Sequence, residues 1–478
     1  MTIASLIFGF PSLTLIATVQ SLIAIKLFLN YYTSMNYLSL IAAIFLINYA
    51  FGAIFWAFLY PFFFSPFRHL PGPRTFFSAA YRSLTIKEGP SGDLFLDMTR
   101  QHPGQELIAL DLLGHQLLVA SPRLFADLLI HRCYDFAKPS RISSFLRHIL
   151  GGGLIITERN EHKFLHKNAM PAFHFRHINE LYPMMWTKAR ILTATLRNEI
   201  DSGGIAGSKN SSVVELTTWA SKVTLDIIGI ADLGRVLNVV EKGSDPLQDL
   251  YVELLEPTRE KLVFAMLSIA VGFSHETTAS ALTWASYLLA KHPKLQTTLR
   301  EEVTAALPAN PIDDPPADLA GLLRQLPYLN GIIQETLRLY PTVPMTMREA
   351  RDTQIGKQFI PKGTIMVVSI WMINRSPDIW GPEAEEFYPG RWITDDGKPN
   401  QNGGTSSNYD FLTFLHGPRS CIGQEFAKAE MRCLLAAMVT SFTWDLAMDD
   451  AKVMSRAVIT IKPENGMYLR LTPLDYKA

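Results

Sequence analysis

The sequence predicts several helices and at least one β-hairpin, placed behind an apolar membrane anchor. Segments 181–200, 213–230 and 256–290 have the composition and length of helices. Segments 106–112 and 115–120 alternate around a glycine, which is typical of a hairpin. With 478 residues, 48% of them hydrophobic, the chain can bury a large core.

The N-terminus is almost free of charge. Lys26 is the only charged residue before Arg68. Segments 3–25 and 37–64 are each long enough to cross the hydrocarbon core of a bilayer, so we expect one or two transmembrane helices. A cleaved signal peptide would have a shorter apolar region behind a basic start.

Basic residues follow this apolar stretch. Arg68 and Arg74 flank a Pro-Gly-Pro sequence. Because flanking basic residues stay on the cytoplasmic side of a membrane, we expect the anchor, 1–66, to hold a cytoplasmic catalytic domain, 67–478.

The overall composition excludes two classes of protein. Lysine plus arginine and aspartate plus glutamate both number 44, so no charge excess points to nucleic acid. The three cysteines, Cys133, Cys421 and Cys433, are too few for a disulfide framework and indicate a reducing compartment.

A pair of opposite charges lies in an apolar helical segment. Glu335 and Arg338 are three residues apart and share one helix face. Such pairs are usually solvated, but apolar residues surround this one, so we expect buried charges that need a full set of partners. These neighbours are Leu329, Ile332, Ile333, Leu337 and Leu339.

Near the C-terminus, Cys421 lies in a glycine-rich turn that leads into a predicted helix, 424–440. The helix dipole and nearby N–H groups should lower the pKa of this thiol and favour a thiolate metal ligand. Gly417 and Gly423 would let the backbone approach a flat cofactor, and Arg419 offers a fork of donors to a carboxylate. A lone cysteine is more often a buried core residue.

The spacing of this turn favours the metal ligand over the core residue. The sequence reads Phe-x-x-Gly-x-Arg-x-Cys-x-Gly and thereby resembles the haem-binding loop of the cytochrome P450 superfamily. The resemblance implies a cytochrome P450-like fold, mainly α with a small β lobe, in which Cys421 is the axial ligand of haem b. The matching residues are Phe414, Gly417, Arg419, Cys421 and Gly423.

The same resemblance assigns partners to the haem. It implies that Arg419 and Arg348 bind the propionates, and that His162 and His166 belong to a helix that contacts the cofactor. A zinc site at the two histidines would need further ligands, and none lies nearby with ligand spacing. Arg391, in a sequence similar to the family's meander motif, would join Glu335 and Arg338 in a structural triad.

Glu276 and Thr277 resemble the family's oxygen-activation segment. A carboxylate followed by a hydroxyl can relay the two protons that dioxygen chemistry needs before the O–O bond breaks. We therefore interpret these two residues as catalytic.

Two departures from the family pattern stand out. Between Trp219 and Glu276 there is room for about two helices, so the roof over the substrate pocket is shortened, either by lost coding sequence or by degeneration. Phe273 and Ser274 replace the small residues of the oxygen groove, and a phenyl ring at 273 would cover the iron.

The resemblance implies a membrane-bound monooxygenase of fungal secondary metabolism that inserts one oxygen atom into an apolar small molecule. Since the chain has no flavin or dinucleotide fingerprint, electrons from NADPH would come through an NADPH–cytochrome reductase at the endoplasmic reticulum membrane. One alternative is a reductase-independent isomerase or dehydratase, which Glu276 and Thr277 argue against. The other is a degenerate, non-catalytic haem protein, which the short roof favours.

Overall fold

The computed structural model describes residues 18–20, 22–23, 26, 37–72, 92–110, 116–140, 143–144, 147, 153–202, 212–232, 234–243, 269–307, 315–457 and 460–474. The helices in this part of the chain are α1 (Tyr37–Ile54, continued by a π-helical segment at Phe55–Phe64), α2 (Asp93–Gln101), α3 (Pro122–Ala126, continued at Asp127–His131), α4 (Arg159–Ala169), α5 (Phe175–Asp201), α6 (Leu216–Ala231), α7 (Val239–Lys242), α8 (Ile269–Lys291), α9 (Pro293–Ala306), α10 (Leu319–Gln325), α11 (Pro327–Leu339), α12 (Ile370–Ile373), α13 (Pro377–Trp380) and α14 (Gln424–Ser441). The strands are β1 (Leu107–Ala109), β2 (Gln116–Val119), β3 (Phe136–Ala137), β4 (Ser212–Glu215), β5 (Met345–Ala350), β6 (Thr353–Ile355), β7 (Gln358–Ile360), β8 (Ile365–Ser369), β9 (Phe442–Leu446), β10 (Ser455–Ala457), β11 (Ile461–Pro463) and β12 (Tyr468–Pro473).

The fold is mainly helical with small sheets, as expected. The larger core lies between helices, where α14 packs on α5 and α8 packs on α6. Helix α14 is buried along most of its length and on nearly all sides, which is typical of a helix at the centre of a domain. The loop that carries Cys421 leads directly into its N-terminus.

A five-stranded sheet with the order β1-β2-β8-β5-β3 forms a second core. The predicted hairpin is confirmed as β1 and β2, with Leu107 opposite Val119. Strands β2 and β8 are parallel, and the other neighbours in the sheet are antiparallel. Strand β5 places Arg348 in this sheet with its side chain buried.

The three predicted helices are present, and one of them differs at its start. Segment 181–200 lies within α5, as predicted, and the described part of 256–290 is α8. The prediction of a helix over 213–230 is wrong at its start, because Ser212–Glu215 is strand β4, which pairs with β12. Helix α6 begins only at Leu216, and the Glu215 carboxylate caps it by accepting hydrogen bonds from the N–H groups of Thr217 and Thr218.

The predicted buried ion pair is confirmed, and so is its third member. Arg338 donates two hydrogen bonds to the Glu335 carboxylate, both 2.8 Å, and Arg391 Nε donates a third of 3.0 Å. Trp392 Nε1 and the Tyr388 N–H also donate to it. Burial alone would raise the pKa of Glu335, but these donors and the two guanidinium charges hold it below its ordinary value.

Among the described residues, none of the helices is both long and apolar enough to span a bilayer. Segment 3–25 lies largely outside the described residues. Segment 37–64 corresponds to α1 and its continuation, on which several large apolar side chains are exposed, among them Leu46, Ile47, Phe51, Phe63 and Phe64.

Candidate active site

The Cys421 loop is a tight turn fixed by backbone geometry. The Cys421 N–H donates to the Phe414 carbonyl over 2.8 Å, which closes the loop just before α14. Leu415 and Gly417 have positive φ angles of 56° and 77°. A Cβ at Gly417 would lie 2.3 Å from the Leu129 carbonyl oxygen, so only glycine fits there.

Cys421 is the exposed member of the three free cysteines, whereas Cys133 and Cys433 are buried. Even so, desolvation by surrounding protein raises the pKa of the Cys421 thiol, and a hydrogen bond from the Gly423 N–H opposes this. The predicted lowering of this pKa by the protein alone is therefore wrong, because burial outweighs the helix terminus.

Arg419 joins the Cys421 loop to the segment before α4. Its Nη1 donates to the carbonyls of Cys133, over 2.5 Å, and Phe136, over 2.6 Å, and its Nη2 pairs with the Glu158 carboxylate. Its Nε is buried and has no hydrogen-bond partner among the described residues.

Two more cations lie beside Arg419. Arg348 donates to the Thr346 hydroxyl over 2.7 Å, and burial together with the neighbouring Arg419 charge lowers its pKa to about 10. Lys138 donates to two backbone carbonyls, and burial lowers its pKa to about 8, although Glu158 opposes the shift. The sequence did not predict Lys138 and Glu158 as site residues, because neither belongs to a recognisable motif.

The predicted histidine pair lies on α4 beside this cluster. His162 and His166 stack with ring centroids 5.7 Å apart, and His162 is buried. Burial, followed by the nearby Lys138 charge, lowers the pKa of His162 to about 4, so the ring is neutral at pH 7. Its Nδ1 is buried without a hydrogen-bond partner in the described part of the chain.

Arg419, Arg348 and Lys138 form what we call the cationic cluster; the neutral His162 lies beside it, and Glu158 is the carboxylate that faces it. Three permanent or near-permanent positive charges thus face one carboxylate. Burying unbalanced charge is costly, so the cluster has the electrostatics of a site for additional carboxylates or another anion.

Phe414 and Gly423 both contact Cys421: the Phe414 carbonyl accepts from its N–H, and the Gly423 N–H donates to its thiol. Phe414 packs against the helical core, and the Lys428 ammonium lies 5.4 Å from its ring centroid. A Cβ at Gly423 would meet only Phe173, at an ordinary 3.7 Å. The described protein therefore leaves room for a side chain at Gly423, and any steric need for glycine comes from a bound group.

Glu276 and Thr277 lie on α8. Glu276 is buried and forms an ion pair with Lys462 of β11, whereas Thr277 is partly buried. Lys462 was also missed, because it lies 186 residues further along the chain. The side chains of Phe273 and Ser274 lie outside the described residues, so the predicted phenyl ring over the iron stays a prediction.

Comparisons with known proteins agree with one another. The family model described as "Cytochrome P450" matches residues 93–268 and 255–470. Cytochrome P450 monooxygenase sphH of Aspergillus fumigatus is 35% identical, with 87% of this chain and 90% of the relative covered. For buaD of Petromyces alliaceus these values are 33%, 88% and 91%, and for ptmK of Penicillium ochrochloron they are 31%, 87% and 95%.

The alignments also measure how much is absent from this chain. The alignment with the Aspergillus protein is 497 positions long. It includes 87% of the 478 residues of this chain, or about 416. At about 80 positions the relative therefore has a residue and this chain has a gap. The Petromyces and Penicillium alignments, of 503 and 493 positions, give nearly the same difference. The family model matches in two pieces that meet at residues 255–268, within the segment where the sequence predicts a shortened roof.

Proposed function

The chain belongs to the cytochrome P450 family, whose members are haem-thiolate monooxygenases, and from that premise we propose that Cys421 is the axial ligand of its haem. The observation that carries this proposal is the exposed Cys421 in a tight loop at the start of α14, two residues from Arg419 and its cluster of buried cations. Cys133 and Cys433 are buried in packed protein and are poor ligands by comparison. The Gly423 N–H favours the thiolate, and a bound metal deprotonates a thiol outright.

The cationic cluster fits the two propionate groups of a haem. Arg419 Nε and His162 Nδ1 are buried polar atoms that lack partners among the described residues, and two added carboxylates would satisfy both. We assign Arg419, Arg348 and His162 to the propionates, with His166 stacked behind His162. Phe414 and Gly423 would lie against the porphyrin on the side of the sulfur.

When bound, the haem supplies dioxygen activation and insertion of one oxygen atom into the substrate. The residues of this chain then control protons. Glu276 is buried, and Thr277, the next residue on α8, is partly buried. We propose that protons pass from Glu276 to Thr277, whose hydroxyl passes its own proton into the site. We propose an apolar small molecule as its substrate class.

Dioxygen consumption that depends on an added NADPH–cytochrome reductase tests this function. The proposed monooxygenase consumes dioxygen only when NADPH and the reductase are both present. An isomerase or dehydratase would transform a peroxide substrate without either. A haem-loaded protein that does neither would be the non-catalytic alternative.

We further propose that the segment preceding Pro66 anchors the enzyme at the endoplasmic reticulum membrane, with the catalytic domain in the cytoplasm. The exposed apolar side chains of α1 and its continuation support this proposal. A boundary between anchor and catalytic domain at residues 66 and 67 is compatible with the fold, because Phe67 belongs to the core formed with the five-stranded sheet.

A chain that starts at Pro66 should therefore leave the membrane fraction and still bind haem, as measured by fractionation of cells and an absorption spectrum. The full chain is the control. Continued tight membrane binding would assign the anchor to another surface, and failure to bind haem would make the N-terminal segment part of the fold. Protease protection of the whole domain in sealed microsomes would overturn the orientation.

The short roof leads to a separate prediction. We propose that about 80 residues are missing between Trp219 and Glu276 through lost coding sequence, and that the mature transcript carries them. Restoring them should then give reductase-dependent turnover with Phe273 unchanged.

If the chain is instead a degenerate form, replacing Phe273 by Ala and Ser274 by Gly should speed carbon monoxide association. Full activity of the 478-residue chain as it stands would contradict both explanations.

A further inference from the structure

Glu158 is the carboxylate that faces the cationic cluster, and both of its oxygens are engaged. Oε1 accepts a hydrogen bond from the Lys138 N–H over 2.9 Å, and Oε2 forms the ion pair with Arg419 Nη2. The residue directly precedes α4. The Glu158 side chain is 22% exposed and that of Arg419 is 5% exposed. The carboxylate is therefore a fixed member of a largely buried cluster, where its charge is screened less than it would be on the surface.

The charge of Glu158 acts on each of its basic neighbours. Burial lowers the pKa of Lys138 and that of Arg348, and the Glu158 carboxylate opposes both shifts. It acts in the same way on His162, but burial and the neighbouring cations prevail, and that ring stays neutral at pH 7. A carboxylate that favours the charged forms of the bases around it stabilises them as cations. Glu158 thus helps to keep three positive charges together in one buried place.

The charges of the cluster leave a defined remainder. Arg419, Arg348 and Lys138 supply three positive charges at pH 7, and Glu158 supplies one negative charge. Two positive charges among these four side chains therefore lack a counter-charge, and a haem carries two carboxylates. Since a buried charge needs a partner, the cluster matches a cofactor with two negative charges only while Glu158 is ionised. Without Glu158 the site would hold one positive charge too many.

We propose that Glu158 is the resident counter-charge of the propionate site, a positioning residue that makes this site neutral once a haem is bound and thereby holds the haem's reduction potential down. The physical reason is that reduction adds one negative charge to the haem. A nearby carboxylate disfavours that added charge, and unbalanced cations would favour it. This inference rests on the proposed assignment of the propionates to Arg419 and Arg348.

A redox titration of the haem-loaded full chain tests the proposal without turnover. Glu158→Gln keeps the size of the side chain and an acceptor for the Lys138 N–H, but removes the charge. We expect it to shift the equilibrium several-fold toward reduced haem, and so to a more positive midpoint potential, where tenfold equals about 59 mV for one electron. Glu158→Asp should stay near the wild type because it keeps the charge. Glu161→Gln, at an exposed position of α4, is the matched control.

A compensating variant separates charge from shape. Lys138→Gln removes one cation but keeps a donor for the carbonyls of Leu154 and Thr157, so we expect a shift in the opposite direction, toward oxidised haem. The double variant Glu158→Gln with Lys138→Gln again has two positive charges for two propionates. Its midpoint potential should return close to that of the wild type, since the two changes cancel in charge and add in structural damage.

The outcomes separate the inference from the proposed function. An unchanged midpoint potential in Glu158→Gln would overturn the inference, as would an equal shift in Glu158→Asp or a double variant no closer to the wild type than either single one. The rate of haem loss to excess apomyoglobin tests the premise, because Arg348→Gln should lose haem several-fold faster than the wild type. Loss at the wild-type rate would refute the propionate assignment, and the inference with it.

Discussion

Glu335→Ala should lower the free energy of unfolding by about 3–5 kcal/mol, because it leaves the buried Arg338 charge without its carboxylate. That loss is a large share of the roughly 5–15 kcal/mol that stabilises a typical domain. The effect extends beyond one pair, since the same carboxylate also accepts hydrogen bonds from Arg391, Trp392 and the Tyr388 backbone. Denaturant titration of the purified protein measures the change.

The matched control is Asp97→Ala, which removes another acidic member of an i,i+3 pair with arginine, but one that is exposed. We expect Asp97→Ala to unfold at nearly the same denaturant concentration as the wild type, because exposed pairs contribute little. Glu335→Gln should fall between the two, since the amide oxygen can still accept hydrogen bonds. A Glu335→Ala protein as stable as Asp97→Ala would show that the triad is not a structural support.

Local patterns in the sequence predicted much of the fold. The β1–β2 hairpin, helix α5 and the buried Glu335–Arg338 pair depend on residues close together in the chain, and the structure has all three. The tight turn before α14 was also predicted, from the spacing of residues around Cys421, and Gly417 has the positive φ angle that such a turn requires.

Features that depend on distant segments were not predictable in this way. Strand β4 was assigned to a helix because its partner, β12, lies about 250 residues further along the chain. Lys138, Glu158 and Lys462 reach the candidate site only through tertiary structure. The raised pKa of Cys421 has the same origin, because desolvation depends on packing that no local pattern reveals.

The largest functional effect should come from Cys421→Ala, which we expect to abolish thiolate-ligated haem completely. The reason is that Cys421 is the exposed one of the three cysteines, while Cys133 and Cys433 are buried and cannot reach a bound group. Cys133→Ala and Cys433→Ala are therefore matched controls that should keep the ligand.

The absorption spectrum of the reduced protein under carbon monoxide tests this assignment most directly. We expect the wild type, Cys133→Ala and Cys433→Ala to show the red-shifted Soret band of haem bound to a thiolate, and Cys421→Ala to lack it. Retention of that band in Cys421→Ala would contradict the assignment of Cys421 as the haem ligand.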